Sequence, residues 1–359
     1  MLEGIMIGLT TALSIQNLLF VMMGCLAGTF IGMLPGLGPM SAIALMIPIA
    51  ATLDPSAGII LMAAVYYGAI FGGSTSSILI NAPGVASTVA TSFDGYPMAK
   101  SGKAGKALAI AAYSSFSGGV IAALFLLVAA PFLASVSLSF QSTDYFALMV
   151  LGLVAVAAFA GKGDMAKALL MTVIGLMLST VGTDQTQGVP RFTLGMIDLV
   201  DGISFLLLVM ATFALSEALM AILKPKDDAD RLKEKEASEN LGSMAVSKAE
   251  VREMAPVIGR SSVLGFLIGV LPGAGATIAS FLAYGTEQRL AGPEKGKQFG
   301  KGSVRGLAAP ETANNAAATG SFVPLLTLGI PGSGTTAATG CRTTSWSSTR
   351  GTWRSCASC

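Results

Sequence analysis

Two clusters of hydroxyl and amide side chains stand beside Pro-Gly pairs in this chain, and they are the residues best suited to hold a ligand. The stretch GGSTSSILINAPG at 72–84 carries Ser74, Thr75, Ser76, Ser77 and Asn81 just ahead of Pro83 and Gly84. The stretch ETANNAAATGSFVP at 311–324 carries Thr312, Asn314, Asn315, Thr319 and Ser321. Singly, a Ser or Thr in an apolar helix often only bonds back to its own backbone. Clustered at a chain break, neutral oxygens and amides suit a carboxylate or Na⁺. The usual catalytic groups are scarce, because the chain has no histidine and Cys25 is the only cysteine before Cys341. A nucleophile–base pair or a zinc site has few credible members here.

The breaks themselves come in matched copies. Residues 28–42 read GTFIGMLPGLGPMSA and residues 265–279 read GFLIGVLPGAGATIA. Gly28, Ile31, Gly32, Leu34, Pro35, Gly36, Gly38 and Ala42 recur as Gly265, Ile268, Gly269, Leu271, Pro272, Gly273, Gly275 and Ala279. APGVASTVA at 82–90 likewise aligns with IPGSGTTAA at 330–338, sharing Pro, Gly, Thr and Ala. Helix breakers at corresponding places in two apolar halves mark a transporter site built from discontinuous helices.

The elements that position these breaks are membrane spans. Hydrophobic residues make up 53% of the chain and charged ones 12%, with a mean hydropathy of +0.70. No charge occurs from Gly4 to Leu53 or from Pro55 to Phe93, and the first basic residue is Lys100. Such runs exceed the roughly 20 residues that span a bilayer. A large soluble α protein would need polar helix faces that these runs lack. The N-terminus has no basic region ahead of its apolar run, so it reads as a retained span and not as a cleaved signal. The expected fold is an all-α polytopic membrane protein with two structural repeats, broken helices or re-entrant hairpins, and an inverted relation between the halves. The LPGLG and LPGAG breaks are expected to face each other near mid-membrane.

Basic residues cluster at Lys100, Lys103 and Lys106, at Lys162 and Lys167, along 224–260, and from Arg289 to Arg305. The positive-inside rule places these loops in the cytoplasm. Segment 224–260 holds eight Lys/Arg and eight Asp/Glu and reads as a solvated, partly helical linker. The expected division is a first repeat half at 1–223, the charged linker at 224–260, and the start of a second half at 261–338.

A Pro-Gly pair inside a span frees backbone groups that lipid cannot satisfy, so the break must be buried in protein or line a wet cavity. Its half-helix N-terminus favours a carboxylate and its freed carbonyls favour Na⁺. The expected substrate- and ion-binding set is Pro35, Gly36, Gly38, Ser76, Ser77, Asn81, Pro83, Gly84, Thr88, Pro272, Gly273, Gly275, Thr277, Asn314, Asn315, Pro331, Gly332, Ser333, Thr335 and Thr336. The glycines are assigned to close approach of ligand to backbone. Of the two acidic residues nearest these segments, Asp94 and Glu311, Asp94 precedes Gly95-Tyr96-Pro97 and reads as part of an interfacial turn. GIPGSGTT at 329–336 lacks the lysine of a phosphate loop, and GLGPMS and GAGATI lack the third glycine of a dinucleotide fingerprint.

The segments GMLPGLGPMSAIALMIPIA, YYGAIFGGSTSSILINAPG, TSFDGYPMAKSGKAGKALAIAA, DYFALMVLGL, RFTLGMIDLVDGISF, IGVLPGAGATIASFLAYGTE and LGIPGSGTTA strongly resemble the large membrane subunit of the tripartite tricarboxylate transporters, the TctA type. The resemblance runs almost continuously to about Ala338. It implies a secondary transporter in the bacterial inner membrane, importing a citrate-like di- or tricarboxylate on a Na⁺ or H⁺ gradient. It also implies two partners: a small four-span membrane subunit and a periplasmic solute-binding protein. Beyond lipid, the substrate and the coupling ion, neither a cofactor nor nucleic acid is expected. An integral-membrane enzyme and a passive channel are the alternatives, separated from a carrier by turnover assays and by counterflow.

Residues 339–359 depart from that pattern. They hold both tryptophans, three cysteines (Cys341, Cys356 and Cys359) and three arginines. This segment reads as an aberrant, non-family tail, and the chain as written is expected not to transport. Resequencing around Ala338 tests that expectation.

Overall fold

The apolar runs become helices, as they must where backbone N–H and C=O groups have no water to bond. In the computed structural model of the chain, the described residues are 2–35, 37–139, scattered positions within 141–150, then 165–184, 187–203, 219, 241–271, 275–328, 333, 335, 336 and 339. The first part holds α1 (Leu2–Ala12), α2 (Ile15–Met33), α3 (Gly38–Thr52) and α4 (Pro55–Ile80). A 3₁₀ turn, Ala86–Thr88, leads to α5 (Val89–Met98) and then to α6 (Ala104–Ser139). Next come α7 (Met165–Ser179) and a small antiparallel hairpin of β1 (Gly182–Thr183) and β2 (Pro190–Arg191). The last part holds α8 (Lys248–Val270), α9 (Gly275–Leu290), α10 (Gly292–Gly296), α11 (Val304–Gly320) and α12 (Phe322–Leu328).

Four helical stretches among the described residues are long and apolar enough to cross a membrane: α2, α4, Ala86–Val128 and α8. The chain is therefore a helical, multi-pass membrane protein.

Local signals set where these helices start. The Asp54 carboxylate accepts from the N–H groups of Ser56 and Ala57, and Pro55 fills the first turn of α4. Ser247 and Glu250 form a capping box at the start of α8. That start lies inside the 224–260 segment, so its last residues are helix; residues 224–240 lie outside the described ones.

Helix α2 packs along α4, and α8 packs along α11; α11 also touches α6 and α9. Both pairs interlock through glycines, which let helix backbones approach closely where lipid offers no hydrophobic drive. A Cβ on Gly28 would lie 2.2 Å from the Val65 carbonyl oxygen, and one on Gly265 would lie 2.4 Å from that of Ala313. A Cβ on Gly32 would clash with the Ala69 carbonyl oxygen as one on Gly269 would with that of Ala317. In the reverse direction, a Cβ on Gly72 would clash with the Thr29 carbonyl oxygen as one on Gly320 would with that of Phe266. Alanine at any of these six positions would force the helices apart. The large side chains of α2, among them Leu19, Met23, Leu26 and Phe30, point outward instead.

Candidate functional site

The two copies of the LPG break share one backbone geometry. After α2, Leu34 turns extended (φ −80°, ψ 113°), with its N–H on the Ile31 carbonyl at 3.1 Å. After α8, Leu271 does the same (φ −79°, ψ 116°), bonded to Ile268 at 3.1 Å. Each following helix begins on a glycine in the left-handed region, Gly38 at φ 64° and Gly275 at φ 63°, where a side chain would be strained. Pro35 is half-buried and Gly38 buried. Gly36, Pro272 and Gly273 lie outside the described residues. Thr277 sits half-buried in the first turn of α9, its carbonyl accepting from the Ser280 hydroxyl at 2.8 Å.

Helix α4 ends on Asn81, a left-handed residue (φ 53°) whose N–H bonds the Ser76 carbonyl. Pro83 and Gly84 follow, both buried. A Cβ on Gly84 would stand 2.0 Å from the Gly32 carbonyl oxygen. The space expected for a ligand beside Gly84 is thus taken by the backbone of α2, and this glycine serves packing between the two breaks. Ser76 and Ser77 donate to the Gly73 carbonyl at 3.0 and 2.8 Å, and Ser77 also meets Thr88 Oγ1 at 2.9 Å. Thr88 in turn donates to Val85 at 2.9 Å. These hydroxyls tie the end of α4 to the 3₁₀ turn.

From α11, Asn314 Nδ2 reaches the Ser87 carbonyl of that turn at 3.5 Å, and Asn315 Nδ2 bonds Asn314 Oδ1 at 2.7 Å. The fold thereby brings Ser77, Thr88, Asn314 and Asn315 into one buried polar region, although their sequence positions lie far apart. Pro331 and Gly332 are outside the described residues. Beyond them, the Ser333 N–H donates to Thr336 Oγ1 at 2.8 Å, and the Thr336 N–H to Ser333 Oγ at 3.2 Å. The Tyr66 hydroxyl of α4 lies beside Ser333 and Thr335.

Three buried acidic residues complete the polar interior, and none belongs to the set expected from sequence. Glu311 of α11 is fully buried and accepts from Ser74 of α4 at 2.7 Å, from Ser115 of α6 at 2.7 Å and from Thr91 of α5. Asp94, expected in an interfacial turn, lies inside α5 with no exposed surface. Its carboxylate accepts from the N–H groups of Gly302 and Ser303 at 2.8 and 2.6 Å and from the Tyr284 hydroxyl at 3.0 Å. It therefore holds the backbone just ahead of α11, whose cap is Ser303, and lies where the helix dipole favours an anion.

The third, Glu287, stands near the charged end of α9, past the apolar run 261–286. It takes two bonds from Arg260 at 2.6 and 2.9 Å and one from Arg305 at 2.8 Å. Burial pushes the Glu287 carboxyl up, and the two guanidinium groups outweigh it, holding the group below the ordinary carboxylate range. The one signal that pointed to Glu311 is that it is the only charge from Gly306 to Ala338. Thr91 and Ser115 adjoin other hydroxyls, Ser92 and Ser114, but no Pro-Gly pair interrupts their helices, so no local signal sets them apart as ligands.

A carboxylate ringed by hydroxyls, beside amide groups and interrupted helices, has the chemistry to bind small ions. Comparison with known proteins agrees with a transport role. A protein of Agrobacterium vitis described as "Uncharacterized 52.8 kDa protein in TAR-I ttuC' 3'region" is 43% identical over 331 residues, covering 92% of this chain and 64% of that protein. The chain thus spans under two thirds of that relative's length. A second protein of the same organism, "Uncharacterized protein in TAR-II ttuC' 3'region", is 55% identical over 67 residues, or 19% of this chain and 27% of that one. No solved structure matches the chain. A family model, that of the tripartite tricarboxylate transporter TctA family, matches residues 18–341, and the chain belongs to that family.

Proposed function

We propose that this chain is the large membrane subunit of a secondary transporter importing a citrate-like di- or tricarboxylate across the bacterial inner membrane. An ion gradient drives it, a periplasmic solute-binding protein feeds it, and a small four-span subunit completes the membrane part. The observation that carries this reading is the pair of helix interruptions with one backbone geometry, Leu34 to Gly38 and Leu271 to Gly275, in a chain of this family. Interrupted helices are where transporters expose backbone groups to substrate and ion.

The halves 1–223 and 261–338 act as inverted copies joined by the charged 224–260 segment. The glycine contacts that recur between α2–α4 and α8–α11 support the repeat. Inversion puts the loops after α3 and after α9 on opposite membrane faces. Single cysteines at positions 53 and 291 then label from opposite sides, and labelling from one side overturns the inversion.

The transport reading is tested in proteoliposomes holding the chain, the small subunit and the binding protein, with labelled citrate and an imposed Na⁺ or proton gradient. Accumulation above equilibrium and counterflow support this reading and overturn the expectation that the chain as written does not transport, and Thr88→Ala and Asn314→Ala then slow uptake. Equilibration without accumulation, or no counterflow, replaces the carrier with a channel.

A further inference from the structure

Glu311 sits in α11 with no exposed surface, and four helices meet at its carboxylate. Ser74 Oγ of α4 lies 2.7 Å from Oε1, Ser115 Oγ of α6 lies 2.7 Å from Oε2, and Thr91 Oγ1 of α5 also bonds Oε1. Asn314 stands alongside. Among the described residues every group bonded to this carboxylate is neutral. Arg305, earlier on the same helix, is engaged by Glu287 instead. An anion this deep among apolar spans is costly unless a cation joins it, which is why intramembrane carboxylates mark ion paths. The donor set says which kind of cation. A site that needs only to take up a proton requires a carboxyl and an apolar wall. Here hydroxyl oxygens are brought from three separate helices, the all-oxygen shell that a hard cation takes when it sheds water.

One of these hydroxyls, that of Ser74, is also free to reorganise. Ser74 Oγ has a second acceptor in the Ile70 carbonyl at 3.2 Å, so its hydrogen has a place to go when its lone pairs turn to a cation. Two further buried hydroxyls, Ser114 and Thr312, adjoin Ser115 and Glu311 in the chain and have no hydrogen-bond partner. Adjacent residues of a helix face different directions, so these two mark polar oxygen in α6 and α11 left unsatisfied among the described residues, not further ligands of the carboxylate.

We infer that Glu311, Ser74, Thr91 and Ser115 form a Na⁺ site between α4, α5, α6 and α11. The inference deepens the transport reading, since it places the coupling ion on a side chain of α11 and not on the backbone of the Pro-Gly breaks. Its test uses the purified full chain alone, with no carboxylate and no partner. Thermal unfolding is followed as NaCl replaces choline chloride at constant ionic strength and pH. The wild type is expected to show a saturable rise of its midpoint by about 5 °C, and Glu311→Gln none. Ser115→Ala and Thr91→Val, which keep the carboxylate, are expected to raise the half-saturating Na⁺ concentration by about tenfold.

A wild type indifferent to Na⁺ overturns the inference, as does a Glu311→Gln variant that responds like wild type. Should that variant not fold, unchanged half-saturation in both hydroxyl variants overturns it. A midpoint that shifts with pH but not with Na⁺ assigns the site to a proton and overturns the Na⁺ assignment. Failure here leaves carboxylate uptake untouched, and failure of uptake leaves the Na⁺ response standing.

Discussion

Glu287 and Glu311 are both buried glutamates on neighbouring helices, 1% and 0% exposed, yet the fold surrounds them with opposite chemistry. Glu287 faces two guanidinium groups, which carry only N–H donors and a fixed positive charge. Glu311 faces three hydroxyls, each able to donate or to accept. Arginine demands a permanent anion and locks one arrangement. Hydroxyls tolerate an anion, a neutral acid or a carboxylate with a metal ion. A triad whose carboxylate is held charged ties α8, α9 and α11 together, whereas a carboxylate that can change state suits a moving ion. Burial of a carboxylate therefore says little about its role until the chemistry of its partners is known.

The strongest way to break this contrast is to neutralise Glu287. Glu287→Gln turns an amide NH₂ toward guanidinium donors and leaves their charge unmatched, with Arg305 already holding a buried Nε that lacks a partner. We expect a loss of about 3–5 kcal/mol, read from unfolding in detergent. A loss below about 1 kcal/mol would mean that the triad does not hold the fold.

Acid should reach the same group more gently. The Glu287 carboxyl is held below its unfolded value. The stability it contributes is full above the unfolded value of about 4.3 and is lost as pH falls through the lower folded value. Wild-type stability should therefore decline more steeply on acidification than that of Glu287→Gln, and parallel profiles would refute the linkage.

Neutralising Glu311 should sharpen the contrast from the other side. In Glu311→Gln the hydroxyls of Ser74, Thr91 and Ser115 can donate to the amide oxygen and accept from its NH₂, so the stability change should stay within about 1 kcal/mol. Accumulation of labelled carboxylate should be lost. A large destabilisation with transport intact would reverse the roles of the two glutamates.

The smallest effect is expected at Lys106 and Glu250, which join α6 to α8 at 2.9 Å with side chains 26% and 20% exposed. Lys106→Ala should cost about 0.5 kcal/mol and respond to salt, in contrast to the Glu287 triad.

The sequence by itself determined the spans, their helical state and the positions of their interruptions, because each follows from short-range physics. Apolar runs of bilayer length have no alternative to helix, and the repeated Leu-Pro-Gly marks where α2 and α8 end, whereas Pro48, Pro256 and Pro310 stand inside helices. The glycines Gly28 and Gly32 and their copies Gly265 and Gly269 were legible as a repeat, but their role in close helix packing was not. What the sequence could not determine is who meets whom. Asp94 reads as a turn residue beside Gly95 and Pro97, and only packing reveals that its carboxylate binds the backbone at the start of α11 more than 200 residues later. Gly84 reads as a place for a ligand, and only packing puts the Gly32 carbonyl there. The partners of Glu311 lie 237, 220 and 196 residues away in the chain. A lone hydroxyl in an apolar helix looks the same whether it bonds its own backbone or a distant carboxylate. Only the tertiary structure decided between those, because the deciding energy lies in desolvated long-range contacts that no local pattern encodes.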